Sequence, residues 1–188
     1  MILEQRANYF KLTKKNNKGH KMRTKHVVVL PYDEKWKKDF EEIKKEISEV
    51  IGSFAIAIEH VGSTSVEGLA AKPIIDIDVV VKSDDIKSAI DRLESIGYVH
   101  EGNLGIEGRE AFTYDGKEHL QMHHLYVCPE DSPELKRHLA FRDYLRAHKD
   151  ARVKYRNAKL EAANLYPNDI DRYIEYKSPI IEEIYSVM

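Results

Sequence analysis

The chain has 188 residues, of which 42% are hydrophobic and 33% are charged, and its formal net charge is -2. This composition is typical of a soluble globular protein with one sizeable domain, and it gives no global sign of binding to a membrane or to nucleic acid. The single cysteine, Cys128, excludes an internal disulfide framework. Since no apolar run reaches membrane-spanning length, we expect a cytoplasmic protein.

The first segment of the chain differs in composition from the rest. Basic residues dominate from Lys11 to Lys25, and no acid stands among them. Such a segment buries too little apolar surface to fold alone, so we predict a disordered leader over residues 1–25. The alternatives are an arm that binds nucleic acid and an artefact of start-site choice, since Met22 could begin a complete domain.

Strand and helix patterns alternate from residue 26 to Pro129. A short strand is predicted over 27–30, followed by a helix that Asp33 caps and Gly52 ends. The apolar stripe of that helix is Trp36, Phe40, Ile43, Ile47 and Val50. Further strands are predicted over 54–58, 74–81, 98–99, 111–114 and 119–128, with a helix over 83–97.

The pattern becomes helical after Pro129. Ser132-Pro133-Glu134 combines an N-cap residue, a first-turn proline and an acid, which predicts a helix start. Later breaks are expected near Pro167 and near Ser178-Pro179. The predicted fold class is therefore α/β (α+β), with a mixed sheet and helices over residues 26–188 and a helical extension over 130–188.

Two acids interrupt the most strand-like segment of the chain. Asp76 and Asp78 alternate with apolar residues, so both carboxylates are expected on one face of the strand. Two like charges this close repel each other unless a cation lies between them, and carboxylate oxygens suit Mg²⁺. The alternative is an edge strand that uses inward charge to discourage aggregation.

A turn of small residues precedes this strand. Gly62, Ser63 and Thr64 offer backbone amides and hydroxyls with little side-chain bulk, a composition that suits the binding of phosphate oxygens. The turn and the acidic strand are each weak signals alone, but their order along the chain is far more specific.

The turn followed by Asp76-Ile77-Asp78 resembles the signature of the nucleotidyltransferase superfamily, and residues 60–77 are similar to the GrpB family within it. The likeness extends through Gly108-Arg109-Glu110, His123-His124-Leu125 and residues 138–148. It implies a nucleotidyltransferase-like fold in which Gly62 and Ser63 bind the terminal phosphates of a nucleotide.

By the same resemblance, Asp76 and Asp78 are expected to be catalytic and to hold metal ions during transfer of a nucleotidyl group from a nucleoside triphosphate to an unknown acceptor. The superfamily's third carboxylate has no counterpart in the strand around His124, which leaves His124 as a candidate metal ligand. An imidazole ligand would favour Mn²⁺. A non-catalytic nucleotide-binding or regulatory module of the same fold is the alternative.

Three cationic side chains are candidate phosphate or substrate contacts. Lys72 lies between the turn and the acids, and Arg109 lies in a glycine-flanked loop. Arg142 belongs to a basic stripe that includes residues 138 and 146, at steps of four along a helix. Ordinary solvated side chains are the alternative for all three. Tyr155, Lys159, Tyr173 and Lys177 match helical positions of the family, and packing explains the tyrosines.

Overall fold

A five-stranded mixed sheet organises the fold in the computed structural model, which describes residues 26–188. The strands are β1 (Ala55–Val61), β2 (Ile75–Val81), β3 (Tyr98–Gly102), β4 (Glu110–Tyr114) and β5 (His123–Pro129). They lie in the order β1-β2-β5-β4-β3, with β2 and β5 parallel and the other neighbours antiparallel. The leader predicted over residues 1–25 lies outside the described residues.

Five α-helices accompany the sheet in the described part of the chain. They are α1 (Lys35–Ile51), α2 (Ile86–Glu94), α3 (Pro133–Ala147), α4 (Lys149–Leu165) and α5 (Ile170–Ser186). Within residues 26–188, no helix is both long enough and apolar enough to cross a membrane. The mixed sheet with helices and a helical C-terminal region confirms the predicted fold class.

The main core lies between one face of the sheet and helices α1 and α2. Ile75, Ile77 and Val79 on β2 are fully buried there. The predicted stripe of α1 packs against them, although its last fully buried residue is Ile51 rather than Val50. The apolar face of β2 is therefore the face that the alternation predicted.

Helix α3 lies against the opposite face of the sheet, the face that carries the two acids. Its Leu135 packs with Val80 and Cys128, and all three are buried. Ser132 caps the helix as predicted, since its hydroxyl oxygen accepts a hydrogen bond from the Leu135 amide at 3.2 Å. Burial raises the pKa of the Cys128 thiol, in keeping with a small core residue.

Two predicted strands differ from the structure. Residues 27–30 form no strand, because only Leu30 pairs across to Ala71, through two backbone hydrogen bonds of 2.8 and 2.9 Å. The strand predicted to start at residue 119 starts at His123, because the chain turns first and the Leu120 amide bonds to the Lys117 carbonyl. Strands β4 and β5 pair in the antiparallel direction.

The helix break predicted at Ser178-Pro179 is wrong, whereas the break at Pro167 is confirmed. Helix α5 continues through Pro179 to Ser186. Proline inside a helix costs about 3 kcal/mol. The residues that follow, Ile180, Ile181 and Ile184, pack against α3 and α4, and burial of such side chains outweighs that penalty.

The facing of β2 predicts opposite results for two isoleucine-to-aspartate changes. Ile77→Asp buries an unpaired carboxylate in the main core, so we expect it to lower the free energy of unfolding by roughly several kcal/mol. Ile56→Asp is the matched control, since Ile56 on β1 is 50% exposed. Thermal melting of both variants tests the assignment, and an Ile77→Asp variant that melts like the wild type would refute it.

Candidate functional site

The turn after β1 brings the backbone against the first acid of β2. Gly62 has φ +68°, and a Cβ at this position would lie 2.1 Å from Asp76 Oδ2. Glycine is therefore required both by the backbone conformation and by the close approach of the carboxylate. The Ser65 hydroxyl donates to the Gly62 carbonyl at 2.7 Å and closes the turn.

Thr64 ties the turn to the entry of β2. Its buried hydroxyl donates to the Ile74 carbonyl at 3.2 Å and accepts from Nε2 of His60 at 3.0 Å. Burial lowers the pKa of His60 to about 4, so the imidazole is neutral and can donate from one nitrogen only. Thr64 therefore stabilises the turn against β2. It does not line the cavity described next, which Ser63 lines.

A cavity of about 160 Å³ opens beside the turn. We call it the lysine pocket, after three of the residues that line it. Its lining includes Ser63, Asp76, His124, Lys72, Lys159 and Lys177. The turn, both central strands and two C-terminal helices therefore contribute side chains to a single small volume.

Lys159 is the most buried cation of the lysine pocket. Its side chain is 2% exposed, and its ammonium donates to the Ser63 hydroxyl at 2.9 Å and lies 4.4 Å from the Tyr155 ring centroid. Burial, together with the nearby charge of Lys177, holds the pKa of Lys159 well below its ordinary value. Such an ammonium is stabilised when an anion enters the same volume.

The other two lysines of the pocket are also electrostatically destabilised. Burial and the charge of Lys177 lower the pKa of Lys72 to about 8, and burial lowers the pKa of Lys177 itself. Both ammonium groups flank the Tyr173 ring, at 6.0 and 5.2 Å from its centroid. The carboxylate whose charge opposes these effects is Asp76.

Each acid of β2 has an imidazole partner. His124, aligned with Asp76 on the neighbouring parallel strand, donates from Nδ1 to Asp76 Oδ1 at 2.9 Å. Burial raises the pKa of Asp76, but the hydrogen bond and charge of His124 and the charge of Lys72 more than reverse this, so its pKa is lowered. Asp76 is therefore an ionised carboxylate at the wall of the pocket.

Asp78 is fully buried and is paired with a residue of α3. His138 Nδ1 lies 2.7 Å from Asp78 Oδ2, and His138 Nε2 lies 3.2 Å from Glu134 Oε1. Burial raises the pKa of Asp78. Burial would lower the pKa of His138, but the two carboxylates raise it overall, which favours the imidazolium. The Asp78–His138 pair therefore places a charged imidazolium between β2 and helix α3.

Whether Asp76 and Asp78 could bind a metal ion depends on which of their carboxylate oxygens lack hydrogen-bond partners. Within residues 26–188, no three His, Cys, Asp or Glu side chains are arranged to hold a metal ion together. Asp78 Oδ1 is buried and has no hydrogen-bond partner, so a cation would satisfy it. Mg²⁺ commonly takes one or two carboxylates and completes its shell with phosphate oxygens and water, a donor set that Asp76 and Asp78 fit.

The basic stripe of α3 faces the sheet. Arg142 donates to Glu59 Oε2 at 2.6 Å and to the His60 carbonyl at 3.2 Å, and Arg146 donates to the Ser65 carbonyl at 2.9 Å. Together with His138, these contacts attach α3 to β1, to β2 and to the turn. Arg142 thus lies outside the lysine pocket, with its donors engaged.

The structure groups the predicted site residues unevenly. Those that line the lysine pocket are Ser63, Lys72, Asp76 and His124, with Gly62 directly behind Asp76. Asp78 is adjacent, whereas Thr64, Arg109 and Arg142 lie elsewhere. From the sequence, Lys159 and Lys177 are identified only as matches to helical positions of the family. Their signal was a tyrosine four residues before each lysine, on two successive helices.

Comparisons with known proteins agree over almost all of the described chain. The sequence model described as GrpB protein matches residues 26–186. The chain is 39% identical over 157 residues to UPF0157 protein YqkA of Bacillus subtilis, covering 83% of this chain and 45% of that protein. It is 35% identical to the glutamate-rich protein GrpB of Alkalihalophilus pseudofirmus, covering 86% of this chain and 95% of that protein.

The fold is also similar to that of a solved GrpB structure. The crystal structure of conserved protein GrpB from Enterococcus faecalis aligns with a TM-score of 0.72 and 32% identity, covering 84% of this chain and 96% of that one. The Cid1 poly(U) polymerase aligns at a TM-score of 0.49 and 13% identity, covering 87% of this chain and 47% of that one, a similarity too low to carry a functional comparison.

Gly62→Ala tests whether the turn positions Asp76. The new methyl group would meet the Asp76 carboxylate, in addition to about 1–3 kcal/mol of backbone strain, because Gly62 has φ +68° and ψ −171°, a region almost restricted to glycine. Gly105→Ala is the control, because Gly105 has φ +80° with no atom within 4 Å of the added Cβ. We expect both variants to lose stability in thermal melts but only Gly62→Ala to lose tripolyphosphate binding in calorimetry. Equal binding by the two variants would contradict this role.

Proposed function

The chain belongs to the GrpB family, and on that premise we propose that it binds a nucleoside triphosphate and transfers the nucleotidyl group to an acceptor. The observation that carries the proposal is the lysine pocket, where three ammonium groups with lowered pKa values adjoin Ser63 and the acidic strand. Perturbed groups that converge in one cavity are typical of functional sites.

The terminal phosphates are the part of the nucleotide that suits the pocket. Lysine binds phosphate as a point charge, and three lysines match the charge of a polyphosphate. Ser63 adds a hydroxyl at the pocket wall, where it already accepts from Lys159. The small-residue turn lets the ligand approach the backbone closely.

The proposed reaction is a displacement at the α-phosphorus. An oxygen of the acceptor forms a bond to the α-phosphorus, the bond from the α-phosphorus to the oxygen that bridges the α- and β-phosphates breaks, and that oxygen leaves with pyrophosphate while the acceptor's proton passes to water. Asp76 and Asp78 would hold Mg²⁺, or Mn²⁺ in its place, which would stabilise the charge that develops on the phosphoryl oxygens. His124 and His138 orient the two carboxylates through their hydrogen bonds.

A binding module without turnover is the second candidate. It is favoured by the residues that β5 places opposite the acids, which are His124 and Tyr126 rather than a carboxylate. Incubating the protein with each nucleoside triphosphate and Mg²⁺ or Mn²⁺, and measuring pyrophosphate release, separates the two. Release supports transfer, whereas nucleotide binding with no release supports the module.

Asp76→Asn tests the role of the acidic strand. The change removes a charge but little volume, so we expect an unchanged fold and the loss of metal-dependent nucleotide binding and of pyrophosphate release. Binding of metal-free tripolyphosphate should persist, because the lysines remain. Asp91→Asn, at an exposed ion pair of α2, is the control. Unaltered metal affinity of Asp76→Asn in calorimetry would exclude Asp76 as a ligand.

Lys159→Met tests the pocket itself. A lysine whose folded-state pKa is lowered destabilises the fold below its unfolded pKa, so its replacement should raise the Tm at neutral pH. The same change should weaken tripolyphosphate binding at least about tenfold, as expected when a charge-assisted contact is lost. The control is Lys154→Met, on the same helix as Lys159, which removes an exposed ion pair with Glu183 of α5 and should leave binding unchanged. Equal binding by the two variants would refute the phosphate site.

A further inference from the structure

Arg109 lies at the opposite end of the acidic pair from the lysine pocket. Its guanidinium carbon is 4.3 Å from the centroid of the Tyr126 ring, and Tyr126 aligns with Asp78 in the parallel register of β2 and β5. The pocket instead borders Asp76 and His124, one step earlier on the same two strands. The electrostatic influence of Arg109 accordingly falls on Asp78 and Tyr126.

The loop that carries Arg109 is fixed to the start of α3. The Ser132 hydroxyl donates to the Gly108 carbonyl at 2.5 Å, and the same oxygen caps the helix. Gly108 has φ +79°, and a Cβ there would lie 2.9 Å from the Ser132 hydroxyl oxygen. The backbone that precedes Arg109 is therefore held in one place, as a binding residue requires.

The guanidinium of Arg109 has unused hydrogen-bonding capacity. Its Nε is buried without a hydrogen-bond partner, and within residues 26–188 its charge forms no ion pair with a carboxylate. Arg142 differs, because Glu59 and Asp143 both accept hydrogen bonds from it. A half-buried arginine that stacks on a tyrosine and is hydrogen-bonded to no carboxylate of the described residues suits a phosphate or carboxylate ligand.

We infer that Arg109 binds an anionic group, a phosphate or a carboxylate, of the acceptor. The inference rests on the proposed function, because the attacking and leaving oxygens of a phosphoryl displacement are roughly in line across the phosphorus. With pyrophosphate leaving into the lysine pocket, the acceptor approaches from the Asp78 and Tyr126 end, where Arg109 lies. The acceptor is thus a hydroxyl compound that carries a negative charge.

Binding measurements test this assignment without turnover. The lysine pocket is first saturated with tripolyphosphate, and the protein is then titrated with glycerol 3-phosphate, glycerate or glycerol in a calorimeter. The wild type should bind one or both anions at least about tenfold more tightly than neutral glycerol, as for other charge-assisted contacts. Arg109→Gln should lose that preference while its tripolyphosphate affinity stays within about twofold of the wild type.

Controls separate the possible failures. Arg92→Gln removes an arginine that lies over Phe54 on the other side of the sheet, and it should change neither affinity. If Arg109→Gln has a lowered Tm, Arg109→Lys is used in its place. That variant keeps the positive charge and should retain part of the anion preference. Weaker tripolyphosphate binding by Arg109→Gln would show that Arg109 contacts the nucleotide rather than the acceptor. An anion preference that is unchanged in Arg109→Gln, or absent in the wild type, would overturn the assignment. Wild-type protein that binds no tripolyphosphate would instead overturn the proposed function.

Discussion

The charge balance around the acidic strand is the constraint on which the site depends. Asp76 and Asp78 each have a hydrogen-bond partner within the protein, His124 and His138 respectively. Among the residues that the structure describes, no carboxylate forms an ion pair with any of the three lysines of the pocket, and burial lowers the pKa of each. A buried excess of positive charge is unfavourable unless an anion accompanies it, which supports the proposal that the pocket binds a polyanion.

The fold assembles this charge from distant parts of the chain. The sheet supplies the acids and His124, the loop before β2 supplies Lys72, and helices α4 and α5 supply the two remaining lysines. Helix α3 makes the assembly possible, because its inward basic stripe contacts β1, β2 and the turn. The helical C-terminal region is therefore part of the site rather than an appendage to the sheet.

Local pattern explains the features that sequence reasoning found. Alternation along β2 placed both acids on one face, and the small residues at 62–65 indicated a tight turn, because each depends on a few neighbouring residues. Lys159 and Lys177 required knowledge of how two helices dock beside a turn almost a hundred residues earlier. No local periodicity carries that information, so the sequence identifies both residues only as family positions.

The same limit explains the errors in secondary structure. Residues 27–30 have strand composition but find only one partner, since Val27 bonds instead to the carbonyl of Pro167. Pro179 should end a helix, yet isoleucines after it are buried against α3 and α4. Tertiary contacts decided both cases against local propensity.

Proton uptake on polyanion binding is the most direct test of the central claim. Tripolyphosphate should be titrated into the protein near pH 8, where Lys72 is partly deprotonated, in buffers of different ionisation enthalpy. Because a bound anion raises the lysine pKa values, we predict that protons are taken up on binding and that affinity falls as the pH rises above about 8. Binding without proton exchange, or with proton release, would contradict a pocket built from uncompensated lysines.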